Sequence, residues 1–204
     1  MYLNDFAQGV TPLDMSRADE FVSLRCSAAD LGVSIDRSVR YHSRQTVVRG
    51  QRLHFSEWGE PGAPELVLLH GSNQSSHSWD LVSAHFADRY HIFALDQRGH
   101  GDSEWSSELD YSLDAMAQDA RAFIDAHALS SPVVFGHSMG GRVALQLALT
   151  APEVAHALVI VDSGPELSAA GGKMIRNFVS KNIEFDDFEQ FLDNVTKYDK
   201  FRSR

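Results

Sequence analysis

Apolar residues in this chain fall into short unbroken runs, separated by longer stretches in which they recur every third or fourth position. Glu65-Leu66-Val67-Leu68-Leu69-His70 is one such run. It predicts a strand buried on both faces. Tyr90 to Asp96 predicts a second, Pro132 to Gly136 a third, and His156 to Val161 a fourth that ends at Asp162. Between the runs the period becomes helical. Ser78 to Asp88 puts Trp79, Val82 and Phe86 on one face. Ser112 stands at an N-cap position before Leu113, Met116, Ala120, Phe123, Ile124 and His127 at helical spacing. Met139 to Ala151 predicts a third helix, stopped before Pro152. Strands alternating with helices of this length predict βαβ units, a mostly parallel sheet and helices on both of its faces.

Upstream, Thr46-Val47-Val48 and the alternating stretch Arg52 to Trp58 predict an antiparallel hairpin turning at Gly50. Residues 1–43 are weakly patterned. Leu13 to Leu31 has poor helical periodicity, with Gly32 as a stop signal, and the segment reads as an N-terminal extension. Residues 44–165 read as the core. Past Pro165 no strand is predicted. Met174, Ile175, Phe178 and Val179 form one apolar helical face, and Phe188, Phe191, Leu192 and Val195 another. Residues 166–204 therefore read as the start of a helical cap, either a lid over a pocket or ordinary packing helices.

Composition narrows the function classes. With 204 residues the chain can bury a sizeable core. A formal net charge of −10 argues against nucleic acid or an anionic membrane as the main partner. One cysteine, Cys26, excludes an internal disulfide and fits a reducing compartment, so a cytoplasmic location is expected. No apolar run has the length of a membrane span. There is no His-Glu-x-x-His pattern, no Cys/His cluster and no Gly-x-x-x-x-Gly-Lys-Ser/Thr loop, so neither a metal, a phosphate-binding loop nor another cofactor is expected.

The candidate chemistry sits after the third run, in Gly136-His137-Ser138-Met139-Gly140-Gly141. A serine on a tight strand-to-helix bend needs glycines on both sides, because neighbouring backbone comes very close there. The bend holds a hydroxyl clear of the sheet, above a helix N-terminus whose free N–H groups can hold an oxyanion. Two further motifs precede it in order: His70-Gly71 after the first run, and Asp96-Gln97-Arg98-Gly99-His100-Gly101-Asp102-Ser103 after the second. Together the three motifs resemble the α/β-hydrolase superfamily, well over residues 45 to about 165 and more loosely over the helical tail.

That resemblance implies a catalytic nucleophile at Ser138 and oxyanion donors at the backbone N–H groups of Met139 and Ser72. It implies that His70 is structural, and that the loop from Arg98 to Ser103 supports the elbow, with Asp96, Arg98 and Asp102 fixing that loop. Asn73, Trp79 and His137 are candidates for lining the substrate site, with His137 not the base. The superfamily takes its residues in the order serine, acid, histidine. After Ser138 the one histidine is His156, at the wrong end of its strand. Asp162, at a carboxyl end beside the elbow, is a candidate acid, with a loop or capping role as the alternative. The chain therefore reads as the front portion of a hydrolase acting on an ester or related carbonyl bond of a small apolar molecule, truncated before its catalytic histidine. The alternatives are an inactive binding or regulatory module on the same fold, or a lyase or perhydrolase of the superfamily.

Overall fold

The computed structural model of the chain describes residues 17–36 and 38–164, together with Lys173, Ser180, Asp187, Glu189, Gln190 and Asp193. Helix α1 (Arg17–Asp30) leads to strands β1 (Tyr41–Val48), β2 (Gln51–Trp58) and β3 (Glu65–Leu69). A 3₁₀ turn (Ser76–Trp79) runs into helix α2 (Asp80–Phe86). Then come β4 (His91–Leu95), α3 (Leu113–Ala126), β5 (Val133–His137), α4 (Met139–Thr150) and β6 (Ala157–Val161). The strands form one sheet in the order β1-β2-β4-β3-β5-β6. β1 pairs antiparallel with β2, and β2 with β4; from β4 through β3 and β5 to β6 every pairing is parallel. This is the mostly parallel α/β sheet expected from the alternation of runs and helical periods.

Successive residues of β3 and β4 point to opposite faces, and both faces are dry. Val67, Leu69, Phe93 and Leu95 pack on one side with Met116, Phe123, Val143 and Leu147 from α3 and α4. Leu66, Leu68, Ile92 and Ala94 pack on the other side with Trp58, Trp79, Ala84 and Phe21. Phe21, on α1, is 3% exposed and lies edge-on to Trp58. The hairpin's first strand begins at Tyr41, five residues before the predicted strand, and the Tyr41 ring lies 4.8 Å from that of Trp58. The helix expected over Ser78 to Asp88 instead opens as the 3₁₀ turn, with no side-chain hydrogen bond at its cap. The Ser112 hydroxyl does cap α3, accepting the Ala115 N–H at 3.2 Å.

β6 stands at the border of the sheet among the described strands, with Val159 and Val161 about two-fifths exposed (37% and 41%). No helix of the described residues is long and apolar enough to cross a membrane. Residues up to Ser163 form one compact unit, and Gly164 to Arg204 a second. The apolar faces expected at Met174 to Val179 and at Phe188 to Val195 lie outside the described residues.

Candidate active site

Parallel strands β3, β4, β5 and β6 all end at the same border of the sheet. Open α/β sheets place ligands outside that border. Leu69 pairs with Gly136, and Leu69 with Leu95, so the loops following these strands are immediate neighbours.

Ser138 joins β5 to α4 with φ +51° and ψ −112°. The positive φ is costly for a residue with a side chain and persists only where the surroundings enforce it. The surroundings here are backbone. A Cβ on Gly136 would lie 2.3 Å from the Gly140 carbonyl oxygen, and a Cβ on Gly140 would lie 2.2 Å from that of Leu69. No side chain fits at either position, so the strand and helix close onto each other and force the bend through Ser138. The Ser138 N–H donates to Val161 O at 2.9 Å and its carbonyl accepts the Arg142 N–H, which starts the helix.

The amides around this bend divide sharply. Gly140 N–H donates to His70 O at 3.1 Å, and Gly71 N–H donates to Gln74 Oε1 at 2.8 Å. The N–H groups of Ser72 and Met139 have no hydrogen-bond partner among the described residues. Each unoccupied donor is therefore available to an incoming acceptor.

The loop after β4 is tied into this arrangement through His70. Its ring is fully buried, and burial holds its pKa down to about 4, so it is neutral at pH 7. The neutral ring donates from Nδ1 to Gly71 O at 2.7 Å and accepts at Nε2 from the Gln97 N–H at 3.1 Å. Gln97 Nε2 returns a bond to His70 O at 2.7 Å. One neutral imidazole thus joins the loops after β3 and β4, while its carbonyl also receives Gly140 from the elbow helix.

Asp96 anchors the same loop. Burial alone raises its pKa. Hydrogen bonds from His54 (2.8 Å) and from the Ser76 (2.5 Å) and Asp102 (2.9 Å) amides outweigh that and hold it at about 2. Arg98 reaches Asp119 on α3 with two bonds of 2.6 and 2.7 Å, and Arg49 adds a third at 2.8 Å. Ser43 Oγ lies 2.9 Å from His54 Nε2, so Ser43, His54 and Asp96 have the connectivity of a catalytic relay. Ser43, however, stands inside strand β1 and not at a bend beside a helix N-terminus, and the chain of bonds serves to join β1, β2 and β4. His54, Asp96 and Asp102 also offer ligand atoms within 4.8 Å of one another, but both Asp96 oxygens are already engaged by N–H donors.

The remaining candidates are distributed unevenly. Asn73 is exposed at φ +57° in the loop after β3. Trp79 is 8% exposed and packs in the core with Trp58 and Leu68. His137 is half-buried beside the elbow; its Nδ1 lies 3.1 Å from Gln74 Oε1 and its Nε2 3.9 Å from Asp162 Oδ2. The Asp162 side chain is 88% exposed. His156 lies at the other end of the sheet, its N–H bonded to Pro132 O. Among the described residues no histidine is hydrogen-bonded to Ser138. Gln74, Gln97 and Asp119 escaped the sequence reading, because their partners are backbone atoms or side chains far along the chain.

A family model described as the alpha/beta hydrolase fold matches residues 64–196, more than half of the chain. Epoxide hydrolase 4 of Mus musculus is 33% identical over 114 residues, covering 55% of this chain and 32% of that protein. An abhydrolase domain-containing protein of Schizosaccharomyces pombe is 36% identical over 140 residues, covering 66% of this chain and 48% of that one. The crystal structure of an alpha/beta hydrolase from Novosphingobium aromaticivorans superposes with a TM-score of 0.70 at 26% identity, over 77% of this chain and 56% of that one. The chain thus spans about a third to about a half of the length of these curated relatives.

Proposed function

The chain belongs to the α/β-hydrolase family, and from that premise we propose that it carries the nucleophile and oxyanion site of a serine hydrolase acting on an ester or related acyl bond. The observation that supports this reading is the strained Ser138 beside two unoccupied amides, those of Ser72 and Met139, each adjoining an amide that is taken, those of Gly71 and Gly140. Ser138 Oγ attacks the acyl carbonyl. The developing oxyanion accepts from the two N–H groups, the leaving group departs, and water releases the acyl chain from the serine. The base that takes the Ser138 proton is supplied from outside the described residues. Asp162 is the candidate acid that orients it.

Chemistry separates this reading from that of the epoxide-hydrolase relative. A serine that opened an epoxide would form an ether, which has no carbonyl for an oxyanion site to polarise and no route to release by water. Acyl esters suffer neither obstacle. The expected activity is therefore on short and medium p-nitrophenyl esters, with none on an aryl epoxide.

A fluorophosphonate probe tests the assignment in the full-length protein. Labelling at Ser138, abolished in Ser138→Ala, is expected. A folded full-length protein that takes no label at Ser138 contradicts the reading and favours a binding module on the same fold.

A further inference from the structure

Gln74 turns back on its own loop and uses a single oxygen twice. Oε1 accepts the Gly71 N–H at 2.8 Å and stands 3.1 Å from His137 Nδ1. A backbone N–H only donates, so the atom facing Gly71 is the carbonyl oxygen of the side-chain amide, and His137 must carry its proton on Nδ1 to share it. That assigns a proton to His137 Nδ1 and leaves Nε2 on the Asp162 side. The left-handed Asn73 (φ +57°) provides the reversal that brings Gln74 round. The packing is close: a Cβ on Gly71 would lie 2.8 Å from both Gln74 Oε1 and His137 Nδ1.

The location gives this oxygen its significance. Strand pairing between β3 and β5 ends at Leu69 and Gly136. The Ser72 amide lies three residues past that point on one side, and the Met139 amide three residues past it on the other. Two hydrogen-bonded links cross the gap among the described residues: Gly140 N–H to His70 O, and the bridge from Gly71 through Gln74 to His137. The second adjoins Ser72 directly on one side and Ser138 on the other.

We propose that Gln74 is a positioning residue, whose side-chain oxygen sets the separation of the Ser72 and Met139 amides and so preforms the oxyanion site; this rests on the acyl-hydrolase reading above. It touches neither substrate nor nucleophile and acts through Gly71 and His137. Methionine at this position keeps the length and bulk of the side chain and removes the oxygen. Asparagine keeps the oxygen on a stem one methylene shorter.

The test uses the full-length protein and p-nitrophenyl butyrate. In Gln74→Met and Gln74→Asn, kcat is expected to fall about 10- to 100-fold with KM unchanged within about threefold, a smaller loss than deleting an oxyanion donor outright. A purely structural role would instead lower the melting temperature and leave the kcat of the folded fraction intact. Nitrogen-15 spectra of the His137 ring give a second readout: Nδ1–H in the wild type and loss of that preference in Gln74→Met. If Ser138 in the wild type takes no fluorophosphonate label, the acyl-hydrolase reading falls and takes this proposal with it. If the wild type is labelled and active but Gln74→Met keeps its kcat, or if the wild-type ring carries its proton on Nε2, the proposal alone is overturned.

Discussion

The loop after β4 and the elbow after β5 flank the loop after β3 at the same border of the sheet, yet they treat hydrogen bonds in opposite ways. In the β4 loop, three donors meet the Asp96 carboxylate and three bonds from two arginines meet Asp119. At the elbow and the β3 loop beside it, a serine is held at φ +51°, two amides are unoccupied and the nearby Asp162 carboxylate is nearly all in solvent. A buried polar group without a partner costs about 1–3 kcal/mol, so the filled Asp96 and Asp119 carboxylates are what make the first loop a fixed support. Unoccupied donors at the surface are tolerable beside such a support, and they are the feature a reacting oxygen can exploit. The difference teaches where to look for chemistry: at the donors left over after the scaffold has taken its share.

The contrast can be broken from the scaffold side first. Asp119→Ala strands the buried Arg98 guanidinium, and removing one partner of a buried pair should cost roughly 3–5 kcal/mol of stability in denaturant melts. Gly140→Ala forces a Cβ against the Leu69 carbonyl and should cost about 3 kcal/mol, with loss of Ser138 labelling in whatever fraction remains folded.

Acid sharpens the comparison by separating two groups of the scaffold. The folded pKa of His70 is depressed from 6.5 to about 4. The unfolded chain therefore binds the extra proton first, and stability that is full above pH 6.5 falls as pH drops toward 4, by on the order of 3 kcal/mol. Asp96 is depressed from 3.8 to about 2, so its contribution is present above pH 3.8 and is lost only below that. Melts followed from pH 7 to 4 should show the His70 slope, and His70→Gln should flatten it. Ser112→Ala, at the far cap of α3, serves as the mild control. It should cost about 1 kcal/mol and leave labelling unchanged.

Much of this arrangement is legible in the sequence because it follows from local rules. Runs such as Leu66 to Leu69 are apolar without alternation since both faces of β3 are covered, and the elbow glycines announce a close backbone approach. The Ser112 cap follows from residue type and position alone. Other features depend on contacts that folding creates. Helix α1 buries Phe21 and Ala28 (3% and 1% exposed), seven residues apart, too sparse a stripe to register as a helical period. Asp119 carries no signal in the sequence, yet it is 3% exposed because Arg98 and Arg49 come to it from 21 and 70 residues away. Gln74 and Gln97 bond to backbone atoms, which leave no compositional trace. The bonds that separate scaffold donors from spare donors are therefore a property of the folded loops, whereas Ser138 and the Ser72 and Met139 amides were already marked by the resemblance.

The most direct test of that separation is a crystal structure of the full-length protein carrying a phosphonate on Ser138. The account predicts a phosphonyl oxygen at about 3 Å from both the Ser72 and Met139 nitrogens, with the Gly71–Gln74 and Gly140–His70 bonds intact. A phosphonyl oxygen turned toward solvent, or one taken up by amides that are already paired here, would contradict it.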